Sequence, residues 1–130
     1  MIHRLDNAGV AVTDLDLALA FYERLGFEVS NRESDTPSAT LIAGQVKLWI
    51  FQTAGGPAAP RSPDLVGTPA GFDHLSFWVG DVDRAVVDMK AHGLELEMEP
   101  ADQDWGFRAA SALDPDGNRI FLLGPLKAVP

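Results

Sequence analysis

The sequence predicts an α+β fold built from two copies of a β-α-β-β-β module. When the chain is shifted so that residue 7 lies over residue 74, residues 7–16 (NAGVAVTDLD) match residues 74–83 (HLSFWVGDVD), and Gly26 falls on Gly93 without a gap. Each copy contains an alternating apolar run, an Asp-x-Asp sequence, an amphipathic stretch, and a glycine followed by a second apolar run. Such a repeat indicates that one structural unit occurs twice.

The first module begins with an alternating run over residues 5–12, which predicts a strand. Asp14 stands where a helix N-cap belongs, and Asp16 brings negative charge to the first turn, where the helix dipole favours it. Apolar residues at helical spacing predict a helix over 15–25, and Gly26 is expected to end it as a left-handed C-cap. Three strands should follow, over residues 27–30, 39–43 and 46–52.

The second module repeats this order. A strand is predicted over 72–79, Asp81 is the expected N-cap, and a helix over 82–92 should end at Gly93. Three further strands are predicted over residues 94–98, 107–113 and 119–123. The sequence DPDGN at 114–118 predicts a tight hairpin turn, because proline presets one dihedral and glycine supplies a positive one.

The segment between the modules has a different composition. Residues 54–71 contain four prolines and four glycines, so no regular structure is expected there. The predicted organisation is therefore a first module over 1–53, a connection over 54–71 and a second module over 72–130. The connection is either a plain linker or a loop that folds over the mouth of a pocket, since long loops in compact domains are often lids.

Composition and charge exclude several classes of function. The formal net charge of -9 argues against nucleic acid or an anionic membrane as the main partner, because both require a basic face. It would suit a cationic ligand, although acidic surfaces commonly serve solubility alone. The chain has no cysteine, no signal-peptide core after Met1 and no apolar stretch long enough to span a membrane. These features favour a cytoplasmic protein.

Six segments distributed over almost the whole chain resemble one superfamily. They are 12–16 (VTDLD), 20–23 (AFYE), 25–27 (LGF), 72–77 (FDHLSF), 105–108 (WGFR) and 114–119 (DPDGNR). By these segments the chain resembles the vicinal oxygen chelate superfamily, which includes glyoxalases, bleomycin-resistance proteins and extradiol dioxygenases. The resemblance implies a cup-shaped, barrel-like mixed sheet made by two β-α-β-β-β modules, often completed in a homodimer. It is less specific for activity, because a fold does not determine a function.

The resemblance also implies positions for a metal site. Metal-dependent members carry a histidine or similar ligand on the first strand of each module and a carboxylate on the last strand, which here fall on Asn7, Trp49, His74 and Phe121. Neither last strand contains Glu or Asp, and one imidazole does not hold a catalytic ion. If the alternation extends to His3, a site of two histidines remains conceivable. The expectation is that the protein binds no metal and no other cofactor.

Large aromatic residues replace the carboxylates. They would either fill the metal cavity and line a pocket for a planar or bulky molecule, or form ordinary core between sheet and helices. Trp105 lies in a polar run beside a glycine, which favours a half-exposed pocket rim. The predicted ligand-binding residues are Asn7, Trp49, Phe51, His74, Trp78, Trp105, Phe107, Arg108 and Phe121.

Three functional hypotheses follow. The favoured one is a metal-independent protein that binds a small molecule and sequesters a bulky or aromatic metabolite or antibiotic, as bleomycin-resistance proteins do. The second is a metal-free isomerase, cyclase or lyase in which His74 is the catalytic acid or base. A metal-dependent lyase or dioxygenase is the third, against which the ligand positions argue. The paired aspartates before the helices are interpreted as caps, and Glu95, Glu97 and Glu99 as the solvated face of a strand.

Overall fold

In the computed structural model, residues 1–62 and 64–127 are described, and the chain divides after Ala58 into two units. The first unit contains β1 (Ala8–Val12), α1 (Leu15–Arg24), β2 (Glu28–Glu33), β3 (Ser38–Ala43) and β4 (Val46–Gln52). Its sheet has the order β1-β4-β3-β2, in which β1 runs parallel to β4 and the other pairs are antiparallel. The helix packs against β2 and β4.

The second unit has the same topology. It contains β5 (His74–Trp78), α2 (Val82–Ala91), β6 (Met98–Asp102), β7 (Arg108–Leu113) and β8 (Arg119–Gly124). The strand order is β5-β8-β7-β6, with β5 parallel to β8 and the remaining pairs antiparallel. The prediction of two β-α-β-β-β modules in an α+β chain is therefore confirmed. Each unit has a mixed sheet of four strands that is not closed into a barrel.

Both helices begin at the predicted residue and end one residue before the predicted end. The Asp14 side chain accepts a 3.0 Å hydrogen bond from the backbone N–H of Leu17, and Asp81 accepts one of 3.1 Å from that of Arg84. After α1, Gly26 has a φ of 103°, a conformation that favours glycine. Local capping chemistry thus determines both ends of these elements. Neither helix in the described ranges is long and apolar enough to cross a membrane.

The core of each unit lies between its helix and one face of its sheet. In the first unit Leu41, Leu48 and Ile50 on the sheet and Tyr22 on α1 are almost fully buried. In the second unit the equivalent buried residues are Ala110, Ala112, Val82, Val86, Ile120 and Leu122. Side chains alternate along a strand, so the opposite face carries a different set of residues. We call that opposite face the open face of each sheet.

The turn between β7 and β8 is the hairpin that the sequence predicts. The Asp114 side chain accepts hydrogen bonds from the backbone N–H groups of Asp116 (3.0 Å) and Asn118 (2.8 Å). Gly117 has a φ of 84°. Asp114 is buried because it satisfies these donors within the turn. Its role is structural, in agreement with the interpretation of this segment as a turn.

The strand predicted over 94–98 is wrong in position, since β6 begins at Met98. The Leu94 side chain is buried, and its backbone N–H donates to the carbonyl of Met89 at the end of α2. Leu94 therefore completes the packing of the helix terminus instead of starting a strand. The pairing with β7 is irregular between Met98 and Ala101, which shifts the alternation of this edge strand.

The first strand is shorter than predicted. β1 begins at Ala8, which pairs with Leu48, while Leu5 is 80% exposed. The apparent alternation over residues 5–7 does not reflect strand pairing. His3 consequently lies outside the sheet, and the alternation that would bring it to one strand face with Asn7 is wrong.

The connection is more ordered than its composition predicts. A 3₁₀-helix occupies Leu65–Gly67, and Asp64 caps it by accepting a 3.0 Å hydrogen bond from the N–H of Val66. Arg61 donates to the carbonyls of Pro69 and Phe72. One guanidinium thus binds two backbone positions, which gives the chain entering β5 a defined path.

Candidate functional site

The open face of the second sheet is defined by the register of β5 and β8. His74 lies opposite Arg119, Ser76 opposite Phe121, and Trp78 opposite Leu123. Because the intervening residues of β8, Ile120 and Leu122, are buried against the helix side, these six side chains share the open face.

Five rings form a continuous series on this face, and we call it the aromatic row. The ring centroids of His74 and Phe121 lie 4.9 Å apart, and those of Phe121 and Trp105 lie 6.4 Å apart. The Phe107 ring contacts both tryptophans, with its centroid 5.9 Å from that of Trp105 and 5.8 Å from that of Trp78. All four contacts are edge-to-face, the arrangement that ring quadrupoles favour.

The aromatic row is substantially accessible. Trp78 is 61% exposed, Trp105 is 51% exposed and Phe107 is 40% exposed. Trp105 has the partial exposure expected of a pocket rim. Contiguous exposed apolar surface is characteristic of binding sites in soluble proteins.

The imidazole at one end of the row is held by a carboxylate. His74 Nδ1 lies 2.7 Å from Asp73 Oδ2, and Arg61 Nε lies 4.0 Å from Asp73 Oδ1. The hydrogen bond with His74 lowers the pKa of Asp73 below its ordinary value, and the charge of Arg61 acts in the same direction. Asp73 is thus ionised at neutral pH. The sequence interpretation had singled out His74 without this partner.

A second polar cluster lies beside the row, and sequence reasoning missed it. Arg119 donates to both carboxylate oxygens of Glu97, at 2.8 and 2.9 Å, and the hydroxyl of Ser111 donates to the same carboxylate at 2.8 Å. These hydrogen bonds, that of Arg119 first, lower the pKa of Glu97. Glu97 is exposed, as the interpretation of a solvated face requires, but it precedes β6 and its carboxylate is bound by other side chains. No local sequence signal distinguishes it from Glu95, because its partners lie on other strands.

Arg108 is not brought together with the aromatic row. Its side chain lies on the helix side of the sheet, where Nε and Nη2 donate to the two carboxylate oxygens of Asp83 on α2 at 2.8 and 2.9 Å. Nη1 donates to Asp102 at 3.2 Å. The pKa of Arg108 is raised by its hydrogen bond to Asp83, and that of Asp83 is lowered by the same bond. The structure thus places Arg108 in an ion pair between strand and helix.

The open face of the first sheet carries a smaller aromatic pair. Trp49 stacks on Phe51 with ring centroids 4.7 Å apart and an interplanar angle of 27°. Trp49 is 40% exposed, so it is not ordinary core. It borders a groove of about 360 Å³ whose other lining residues are Asn31, Glu33, Thr36, Ser38, Ala39 and Thr40.

Asn7 precedes this face and repeats the arrangement of His74. Its Nδ2 donates to Asp6 Oδ2 at 2.9 Å, and Lys47 Nζ lies 3.7 Å from the same oxygen. The hydrogen bond from Asn7 lowers the pKa of Asp6. In both copies of the repeat, therefore, an aspartate holds the side chain at the position where the superfamily resemblance implies a metal ligand.

The side chains at the implied metal positions do not fit an ion. The Phe121 ring lies against His74, and Trp49 lies on Phe51, so neither last strand offers a carboxylate donor there. Within residues 1–62 and 64–127, no three His, Asp or Glu side chains are grouped closely enough to hold a metal. A divalent ion with imidazole and oxygen ligands would need donors that aromatic rings do not supply.

Comparison with known proteins agrees with this fold. Residues 4–122 match the family model of the Glyoxalase/Bleomycin resistance protein/Dioxygenase superfamily. The chain is 29% identical over 122 residues to the uncharacterised protein YaeR of Escherichia coli (strain K12). The alignment covers 89% of this chain and 92% of YaeR.

Two solved structures illustrate the likeness. A glyoxalase family protein from Enterococcus faecalis has a TM-score of 0.75 and 26% identity, covering 92% of this chain and 96% of that one. A bleomycin-binding protein solved in complex with bleomycin has a TM-score of 0.68 and 23% identity, covering 94% of this chain and 98% of that one.

Proposed function

Because the chain belongs to the Glyoxalase/Bleomycin resistance protein/Dioxygenase superfamily, we propose that it is a metal-independent protein that binds a small molecule. The concrete version is sequestration of a bulky or aromatic metabolite or antibiotic. The observation that carries this proposal is the exposed aromatic row, whose rings present flat apolar surface beside an imidazole. Binding sites for small molecules combine apolar walls with a few polar groups in this way.

The bleomycin-binding protein supports the choice of ligand class. It has a similar fold and is seen in complex with bleomycin, so binding of an organic molecule is compatible with this fold. At its implied metal positions the present chain offers rings in place of carboxylates. Planar ligands gain from such rings by stacking and by burying apolar area.

A direct test measures binding of aromatic compounds, bleomycin among them, by tryptophan fluorescence and thermal shift. We expect saturable binding that Trp105→Ala weakens about tenfold, since loss of one aromatic contact and its buried area has that order of effect. Leu17→Ala is the matched control, because Leu17 is an apolar residue that is 58% exposed on α1, in the other unit of the chain. Equal weakening by both variants, or no binding in a broad screen, would contradict the proposal.

A metal-free enzyme is the second candidate, and the Asp73–His74 pair favours it. An imidazole oriented by a carboxylate is the arrangement that general acid–base catalysis uses. An isomerase, cyclase or lyase of this kind would place the reacting hydrogen of its substrate next to His74. The two candidates differ in one result: His74→Ala would abolish turnover in an enzyme but only weaken binding in a sequestering protein.

A further inference from the structure

We propose that Asp73 is a positioning residue that fixes His74 with its proton on Nδ1, so that Nε2 accepts a hydrogen bond from a hydroxyl group on an aromatic ligand. This inference rests on the proposed function and names the ligand class as phenols and related ring hydroxyl compounds. The aromatic row alone specifies neither a role for Asp73 nor a hydrogen-bond donor on the ligand.

The position of the proton follows from the chemistry of the partner. An ionised carboxylate only accepts hydrogen bonds, so the 2.7 Å contact requires Nδ1 to be the donor. In a neutral imidazole the other ring nitrogen then carries the lone pair. No hydrogen bond to Nε2 is formed within the described part of the chain, and the His74 side chain is 38% exposed. Nε2 is therefore an available acceptor.

Two arginines lie near the Asp73–His74 pair, and their hydrogen bonds are made to other groups. Arg119 lies opposite His74 in the register, and its Nε and Nη2 donate to Glu97. Arg61 lies on the far side of Asp73 and holds the carbonyls of Pro69 and Phe72. Arg61 consequently stabilises the segment that carries Asp73.

The aromatic row determines what kind of donor can reach Nε2. His74 lies edge-to-face with Phe121, and Phe121 continues to Trp105. A ligand ring stacked on this surface brings a ring substituent to the imidazole at its end. A hydroxyl group satisfies Nε2, whereas a methyl ether offers no proton to donate.

The repeat supplies an independent observation. Asp6 accepts from Nδ2 of Asn7, just as Asp73 accepts from Nδ1 of His74, although the two held residues differ. In each copy the aspartate accepts from the next side chain, and the acceptor atom of that side chain has no hydrogen-bond partner among residues 1–62 and 64–127. Because the same contact occurs in both modules, we infer that each aspartate serves to orient the side chain that follows it.

The first experiment measures acylation of each histidine by diethyl pyrocarbonate with peptide mass spectrometry. His92 is an internal reference, because its Nδ1 lies 2.8 Å from the Asp88 carbonyl, a neutral acceptor. We expect Asp73→Asn to slow His74 about tenfold relative to His92, because an amide oxygen polarises the Nδ1–H less than a carboxylate does, and an amide N–H that donates to Nδ1 moves the proton to Nε2. Asp6→Asn, the equivalent change in the first module, should leave His74 unaffected.

The second experiment compares binding of p-cresol, a phenol that keeps its proton at neutral pH, with that of 4-methylanisole, its methyl ether. We expect the phenol to bind about tenfold more tightly to the unaltered protein, with the preference lost in Asp73→Asn and in His74→Phe. Equal binding of both probes overturns the inference and leaves the aromatic site standing. Binding of neither probe overturns the phenol-site assignment, and the broader ligand screen then decides the proposed function. A His74 acylation rate unchanged by Asp73→Asn overturns the role of Asp73.

Discussion

Asp83 at the start of α2 and Arg108 at the start of β7 form a bidentate ion pair, with N–O distances of 2.8 and 2.9 Å. The first unit contains a related pair, in which Asp16 at the equivalent helix position binds Arg32 on β2. The second aspartate of each Asp-x-Asp sequence therefore binds an arginine of the neighbouring sheet, while the first caps the helix. This division of roles is why the paired aspartates are structural.

The Asp83–Arg108 pair predicts a dependence of stability on pH. The hydrogen bond from Arg108 lowers the pKa of Asp83 in the folded state, so the stabilisation is present above the unfolded-state pKa, near 3.8, and is lost as the pH falls through the lower folded-state value. We expect Asp83→Asn to lower the melting temperature at neutral pH and to matter progressively less in acid. Thermal melts of both proteins over this range measure the difference. Asp88→Asn on the same helix should change little at any pH.

The Glu97–Arg119–Ser111 cluster predicts that substitution of Glu97 destabilises the protein more than substitution of Glu95 does. Glu97→Gln should lower the free energy of unfolding by about 1–3 kcal/mol, because it weakens charge-assisted hydrogen bonds between side chains that are only 29% (Glu97) and 19% (Arg119) exposed. Glu95→Gln, two residues earlier and exposed, should stay within about 0.5 kcal/mol of the unaltered protein. Urea denaturation followed by circular dichroism measures both, and equal effects would show that the cluster contributes nothing.

Gly124 on β8 predicts a strong effect of adding a single methyl group. A Cβ there would lie 1.8 Å from the carbonyl oxygen of Gly80, which is backbone and cannot rotate away. Gly124→Ala should therefore cost about 3 kcal/mol or more, or prevent folding. Gly9→Ala is the control, because its Cβ would meet Trp49 only at 3.9 Å. Normal stability of both variants would refute the close approach of these two chain segments.

The aromatic residues at the implied ligand positions predict the metal content. Protein purified without chelators should contain no stoichiometric zinc, manganese, nickel or iron by elemental analysis, because Trp49 and Phe121 supply no donor atoms. Phe121→Glu, which places a carboxylate beside His74, should increase zinc affinity over the unaltered protein. Stoichiometric metal in the unaltered protein would falsify the assignment of the four positions.

Homodimerisation is a further prediction. Small modules bury little core, and Phe72 and Val66 are almost fully exposed in the single chain. Sedimentation equilibrium should give a mass about twice 14.0 kDa. Val66→Asp should shift this mass toward the single chain if the segment lies in the interface. A single-chain mass for the unaltered protein at all concentrations would contradict the prediction.

Local sequence features were sufficient for the architecture. The repeat predicted both modules, the aspartates predicted the helix starts, and DPDGN predicted the hairpin at 114–118. These features act within a few residues of the chain, where capping, turn formation and side-chain alternation are determined. Strand boundaries were predicted less well: β2 continues to Glu33, and β5 begins only at His74. At β1 and β6, pairing with a distant strand and the packing of Leu94 decided the boundary.

The sequence by itself determined the superfamily, the order of the elements and the replacement of carboxylates by aromatic rings. The tertiary structure decided which of these residues meet. It joined His74 to the aromatic row, placed Arg108 on the other face of the sheet, and united Glu97 with Arg119. The physical reason is register: a shift of one residue moves a strand side chain to the opposite face, and partners far apart in the chain leave no local pattern from which that register can be read.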